Sequence, residues 1–140
     1  MSRLEVRDLN IAFGARRVVD GVSFSIETGE KFALVGESGS GKTVTALSLL
    51  HLAQGARVDG KIHFDGRNIA TMAEPALRAL RGRDIAMIFQ EPMTALNPIY
   101  TIGRQIVEAI ELHDPLRGEA AVQRAISLLQ RTGVPESERR

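Results

Sequence analysis

Residues Gly36 to Thr43 read GESGSGKT, a glycine, four variable residues and then Gly-Lys-Thr. The apolar run Phe32-Ala33-Leu34-Val35 stands directly before it, and Val44 to Ala53 after it is compatible with a helix. A short uninterrupted apolar run is what a parallel strand buried on both faces requires. The order strand, glycine loop, helix is that of a phosphate cradle. Gly36, Gly39 and Gly41 let the backbone turn tightly and approach phosphate oxygens, while N–H groups at the helix start face the anion. In the stretch Gly36, Glu37, Ser38, Gly39, Ser40, Gly41, Lys42, Thr43 and Val44, the Lys42 ammonium is expected to reach the β and γ phosphates, and the Thr43 hydroxyl to ligate Mg²⁺. A chance match in a glycine turn is the alternative, and the flanking strand and helix patterns argue against it. The pattern implies nucleoside triphosphate binding, but the loop alone does not separate transporters, kinases, GTPases and helicases.

At 140 residues and 44% hydrophobic content the chain suits one domain with a real core. A formal charge of +1 gives no electrostatic reason to expect nucleic acid as a partner. Arg78, Arg81 and Arg83 form the one local basic cluster and read better as a solvated helix face than as a binding patch. With no cysteine there is no disulfide, thiolate nucleophile or cysteine metal site, which suits a reducing compartment. His51, His63 and His113 show no ligand spacing and read as surface or helix-face residues rather than metal ligands. The opening MSRLEVRDL lacks the apolar centre of a signal peptide, and no apolar stretch approaches the roughly 18 residues of a membrane span. A membrane role is therefore expected to be peripheral.

Apolar and polar residues alternate over Leu4–Phe13 and Val18–Ile26, joined at Gly14-Ala15-Arg16, as expected of an antiparallel pair. Val58, Ile62 and Phe64, between glycine-containing turns, predict a further half-exposed strand. Ala73 to Leu80 looks helical, and the run Ile85 to Phe89 predicts a second buried strand ending at Gln90. From Glu91 the character changes. Pro92, Asn97 and Pro98 break the pattern, after which Ile102, Ile106, Ala109 and Ile110, and then Val122, Ala125, Ile126 and Leu129, recur at helical spacing. Gly133 and Pro135 mark a helix end. Residues 1–90 are thus expected to hold the β and phosphate-loop core, and residues 91–140 a helical subdomain.

The segments GESGSGKT at Gly36 to Thr43, FDGRNI at Phe64 to Ile69 and RGRDIAMIFQEPMTALNPIYTIGRQI at Arg81 to Ile106 resemble the ATP-binding subunit of an ABC transporter. The resemblance is to the importer branch for dipeptides, oligopeptides and nickel. It implies an α/β P-loop NTPase fold of ABC type, with an antiparallel β subdomain, a partial α/β core and the start of a helical subdomain. It also implies ATP and Mg²⁺ as cofactors and a peripheral position on the cytoplasmic face of the bacterial inner membrane. The implied partners are transmembrane permease subunits and a second ATP-binding subunit, identical or not, with a solute-binding protein acting indirectly. By the same resemblance Phe13 stacks on adenine, for which a flat π face suffices; the alternative is a core Phe on a strand. Gln90 matches the glutamine of the Q-loop, which joins the Mg²⁺ shell or orients the attacking water and flexes with the permease. As a bare residue it would read as a surface polar group. The segment Glu91 to Arg104 is expected to meet a permease coupling helix through side chains among Met93, Leu96, Ile99 and Tyr100, with Met93 and Tyr100 the better fitted contacts; packing of the helical subdomain onto the core is the alternative, expected for about half of them.

Three family features have no counterpart in these residues: the LSGGQ signature, a strand of four apolar residues ending in Asp and followed by Glu, and a switch histidine. The sequence is therefore expected to be the N-terminal half of a nucleotide-binding domain. Lys42 and Gln90 are its candidate catalytic residues, and Thr43 and Gln90 its candidate metal ligands. An ATPase that energises solute import is the leading reading. A nucleotide- or partner-binding fragment without turnover is the alternative. A small GTPase or kinase is disfavoured by the absence of NKxD and DxxG motifs.

Overall fold

A computed structural model describes residues 2–91 and 95–135. The first antiparallel pair is β1 (Ser2–Phe13) and β2 (Arg16–Glu27); β3 (Ala56–Phe64) pairs with the other edge of β1, and the two-residue β4 (Arg67–Asn68) completes a sheet in the order β2-β1-β3-β4. All three pairings are antiparallel. The helices are α1 (Lys42–Leu49), α2 (Glu74–Leu80), α3 (Ile102–His113) and α4 (Glu119–Arg131). Contacts divide the chain into one unit through Arg78 and a second from Ala79.

The alternation along β1 slips once. Leu4 and Val6 are followed by Leu9, Ile11 and Phe13, so the apolar residues change from even to odd positions between Val6 and Leu9. Side chains of a strand alternate strictly between faces, so a flat β1 would turn one of these two sets to solvent. A bulge resolves the conflict. The ladders to β2 and β3 shift between Val6 and Leu9 and between Arg7 and Asn10, and Asp8 takes a left-handed φ of 49°. The displaced backbone is held by side chains: the Asp8 N–H donates to Ser23 Oγ at 2.8 Å, and Asn10 Nδ2 to the Asp8 carbonyl at 2.8 Å. Asn10 Oδ1 in turn accepts from the Gly21 N–H at 3.0 Å. With the bulge in place Val6, Leu9 and Ile11 are all buried, as are Ile62 and Phe64 of β3. Each such side chain contributes about 1.5–3 kcal/mol on leaving water.

Neither of the two apolar runs expected as buried parallel strands is a strand. Phe32–Val35 forms no strand, with Val35 85% exposed, although Phe32 stacks on Phe24 at 5.0 Å. Over Ile85–Phe89 only a single bridge from Arg81 to Ile85 forms, and Ile88 is 96% exposed. A parallel strand is stabilised only when neighbouring strands take its N–H and C=O groups and helices cover both faces. Among the described residues no parallel ladder forms at either run. Helix α1 also begins two residues earlier than expected, at Lys42, and ends at Leu49.

In the second unit α3 and α4 pack as a hairpin. Ile110 of α3 is buried with Ala121 and Ala125 of α4, and Ile106, Val107, Leu116 and Leu128 surround them. Alanines four residues apart lie on one helix face and leave room for the branched side chain of the partner helix. Both helices have identifiable ends. Thr101 caps α3 by accepting from the Arg104 N–H at 3.3 Å, and Gly133 ends α4 at φ 76° with its N–H on the Gln130 carbonyl and that of Val134 on Leu129. Among the described residues no helix is long and apolar enough to cross a membrane.

Candidate functional site

The phosphate-loop residues lie between the end of β2 and α1 in the first unit. The loop turns at Gly39 (φ 81°) and Gly41 (φ 92°), both values that a residue with a side chain rarely adopts. Gly41 occupies the N-cap of α1, no side chain caps the helix, and no acidic residue stands in its first turn. The opening N–H groups of a helix have no acceptor within it, so the start of α1 is a set of donors at the positive end of the dipole.

Two glycines of the loop are closely approached, Gly41 by backbone as well as side chain and Gly36 by a hydroxyl that can rotate away. A Cβ on Gly41 would lie 2.8 Å from Val19 Cγ2 and 2.9 Å from the Val18 carbonyl oxygen. A Cβ on Gly36 would lie 2.6 Å from Ser40 Oγ. The loop is therefore seated directly on β2, whose Val19 pairs with Ile11 of β1. Sequence reasoning identified the glycines but not Val18 and Val19 as their support. Nothing local marks those valines, because the approach spans more than 20 positions of chain.

Lys42 points back across the loop. Its Nζ donates to the carbonyls of Gly36 and Glu37 at 2.6 Å each and to Ser40 Oγ at 3.2 Å, so the ammonium sits within the turn formed by the loop. Glu37 also accepts from the Ser40 N–H at 3.2 Å. Thr43 is exposed on the first turn of α1, next to half-buried Lys42 and Val44, with Ser38 exposed on the turn itself. This donor set fits a nucleotide phosphate chain. Helix-start amides and an ammonium lie on one exposed glycine-containing loop, and a hydroxyl on the same helix turn has the chemistry for Mg²⁺. Among the described residues no group of three His, Cys, Asp or Glu side chains could hold a metal by itself.

Phe13 is the last residue of β1, pairs with Arg16 and Ala56, and is 39% exposed rather than sealed in the core. Ile11, the partner of Val19, lies two residues earlier on the same strand face. Gln90 belongs to the second unit, where it is exposed at a bend. Of the four side chains expected to meet a permease, Met93 lies outside the described residues, while Leu96, Ile99 and Tyr100 are all exposed.

Comparison with known proteins gives this geometry a family. The chain is 55% identical to the peptidoglycan transport ATP-binding protein YejF of Agrobacterium fabrum, over 98% of its own length and 26% of that protein. It is 47% identical to a putative peptide import ATP-binding protein of Brucella abortus, over 98% of the chain and 43% of the relative. Against the oligopeptide transport ATP-binding protein OppD of Bacillus subtilis the identity is 42%, over 98% and 40%. The chain thus spans between about a quarter and two fifths of the length of these relatives. Among solved structures a bacterial Atm1-family ABC exporter with ATP bound superimposes with a TM-score of 0.63 over 94% of this chain and 20% of the exporter, at 22% identity, which is a likeness of fold. The ABC transporter family model matches residues 19–140, and with the glycine loop seated on an antiparallel sheet this establishes that the chain belongs to the ABC transporter family.

Proposed function

We propose that this chain forms part of the ATP-binding subunit that energises an ABC importer of peptides or similar solutes. The observation that carries the nucleotide half of the reading is the inward Lys42. Its ammonium is held by two loop carbonyls and a serine hydroxyl beside the uncapped start of α1. On nucleotide binding these loop contacts exchange for charge-assisted bonds to the β and γ phosphates, while the first-turn amides of α1 take further phosphate oxygens. Thr43 would hold Mg²⁺, which neutralises charge developing on the transferred phosphoryl group. Phe13, exposed at the end of β1, offers a ring face to the base. Gln90 is assigned to hydrolysis and its coupling to transport, on the strength of the surrounding IFQEP segment. The transport half of the reading rests on the similarity to the peptide-import relatives.

The residues in hand lack an Asp and Glu at the end of an apolar strand and an LSGGQ segment. Phosphoryl transfer is catalysed by positioning and charge stabilisation, so without those groups this stretch by itself binds MgATP without rapid turnover. In the assembled transporter the chain is proposed to lie at the cytoplasmic membrane face, against permease subunits and a second ATP-binding subunit. Leu96, Ile99 and Tyr100 would supply the apolar contacts to the permease.

Calorimetric titration with MgATP tests the site. Lys42→Ala removes the charge-assisted contacts, worth about 1.5–3 kcal/mol or roughly 10- to 150-fold in affinity. Equal affinity of the two forms would remove the loop from the site.

A further inference from the structure

Helix α3 is preceded by a loop, residues 95–101, that carries Leu96, Ile99 and Tyr100 at the surface. Exposed apolar side chains on an irregular segment are normally mobile, and immobilising each on binding costs about 0.5–1.5 kcal/mol. This loop is instead pinned at several points. Gln105, half-buried on the first turns of α3, accepts from the Asn97 N–H through Oε1 at 2.9 Å. Its Nε2 donates to the Asn97 carbonyl at 3.0 Å and to the Tyr100 carbonyl at 3.1 Å. One amide side chain thereby satisfies three backbone groups at both ends of the turn. Asn97 Oδ1 closes the interior by accepting from the Ile99 N–H at 2.9 Å, and Pro98 fixes the φ between them. Arg104 lies 4.2 Å over the Tyr100 ring and holds its plane. In this arrangement Ile99 stands 84% exposed, with Leu96, Tyr100 and Ile102 each at least 40% exposed around it.

We infer that Gln105 is a positioning residue that holds the 97–101 loop in one shape, so that Ile99 and Tyr100 are presented ready-formed to the permease. The inference rests on the proposed docking of this segment. It adds the residue that sets the docking geometry without itself touching the partner. Because all three contacts go to backbone, their effect depends on the side-chain amide and not on the identity of the loop residues. An isosteric side chain without hydrogen bonds should free the loop while leaving α3 packed, since Gln105 is not among the residues of the α3–α4 core.

The test uses the intact protein and permease subunits co-purified with it in detergent. In Gln105→Met, amide exchange at Asn97 should rise about tenfold or more, as expected when a local hydrogen-bonded turn opens. Affinity for the permease should fall by a similar factor and MgATP affinity should not change. Gln105→Glu keeps the acceptor for Asn97 but sets a carboxylate oxygen against the Asn97 and Tyr100 carbonyls, and should be at least as disruptive as Gln105→Met on both readouts. Unchanged exchange in Gln105→Met would overturn the pinning. Faster exchange with undiminished permease affinity would overturn the positioning role, provided that Ile99→Asp weakens docking. If Ile99→Asp also leaves docking intact, it is the proposed docking surface that fails.

Discussion

Replacing Gly60 with alanine tests the bulge that organises the sheet. Gly60 lies in β3 at φ 123°, a region open essentially to glycine alone, and forcing an alanine into it costs of order 1–3 kcal/mol. Its position is also crowded. An added Cβ would come within 2.7 Å of the Asp8 carbonyl oxygen, 2.9 Å of the Arg7 carbonyl oxygen and 2.9 Å of the Leu9 Cα. All three are backbone atoms of the bulge, so no rotamer change relieves the overlap and β3 must move away from β1. Overpacking of this kind adds about 1–3 kcal/mol. The expected loss is about 2–6 kcal/mol, a large part of the roughly 5–15 kcal/mol that holds a domain folded. Gly14 and Gly66 provide controls, because their φ values are 56° and 73° but an added Cβ would meet nothing within 4 Å. Gly14→Ala and Gly66→Ala should therefore lose only the left-handed penalty of about 1–2 kcal/mol each. Urea unfolding monitored by circular dichroism measures all three, with the midpoint shift read at constant slope. If Gly60→Ala proved as stable as Gly14→Ala, the contact of β3 with the bulge could not be what makes glycine necessary there.

Gly41→Ala should lower MgATP affinity at least tenfold, because the new methyl strikes Val19 and the Val18 carbonyl and tilts the start of α1; Val19→Ala in the same chain should restore part of that loss by removing one of the two obstacles. Phe13→Ala should weaken MgATP binding by about 1–2 kcal/mol while Phe13→Tyr preserves it, which calorimetry resolves; equal weakening by both would show that the flat ring face is not what binds. Ala125→Leu should destabilise the α3–α4 hairpin by about 1–3 kcal/mol, since the residue is buried against Ile110, and a melting temperature unchanged within error would mean that the helices do not pack there.

The elements read correctly from sequence are those whose stability is local or nearly so. The β1–β2 hairpin, β3, α3 and α4 each carry their own periodicity and their own turn or cap, such as Gly14 at the hairpin, Thr101 before α3 and Gly133 after α4. The two apolar runs at Phe32–Val35 and Ile85–Phe89 carry no such self-sufficient signal. Apolar content indicates that a segment would be buried if partners were present, but a parallel strand takes its hydrogen bonds from chain far away, and among the described residues no distant strand pairs with either run. The bulge was written in the sequence as a three-residue step from Val6 to Leu9, yet its cause became visible only when both neighbouring ladders were seen to shift.

By itself, then, the sequence determined the chemistry that the loop offers: three glycines, a lysine and a threonine at fixed spacing are the pattern of a phosphate cradle, in which backbone amides and one ammonium would do the binding. Tertiary structure alone decided what supports that loop and what holds the turn before α3. Val18 and Val19 lie beneath Gly41, and Gln105 reaches back to Asn97 and Tyr100, through contacts between residues with no periodic relation in the chain. Such contacts depend on where the backbone has already been carried by the bulge, the hairpin and the cap, which is why residue type and spacing could nominate the loop but not the side chains that hold it in place.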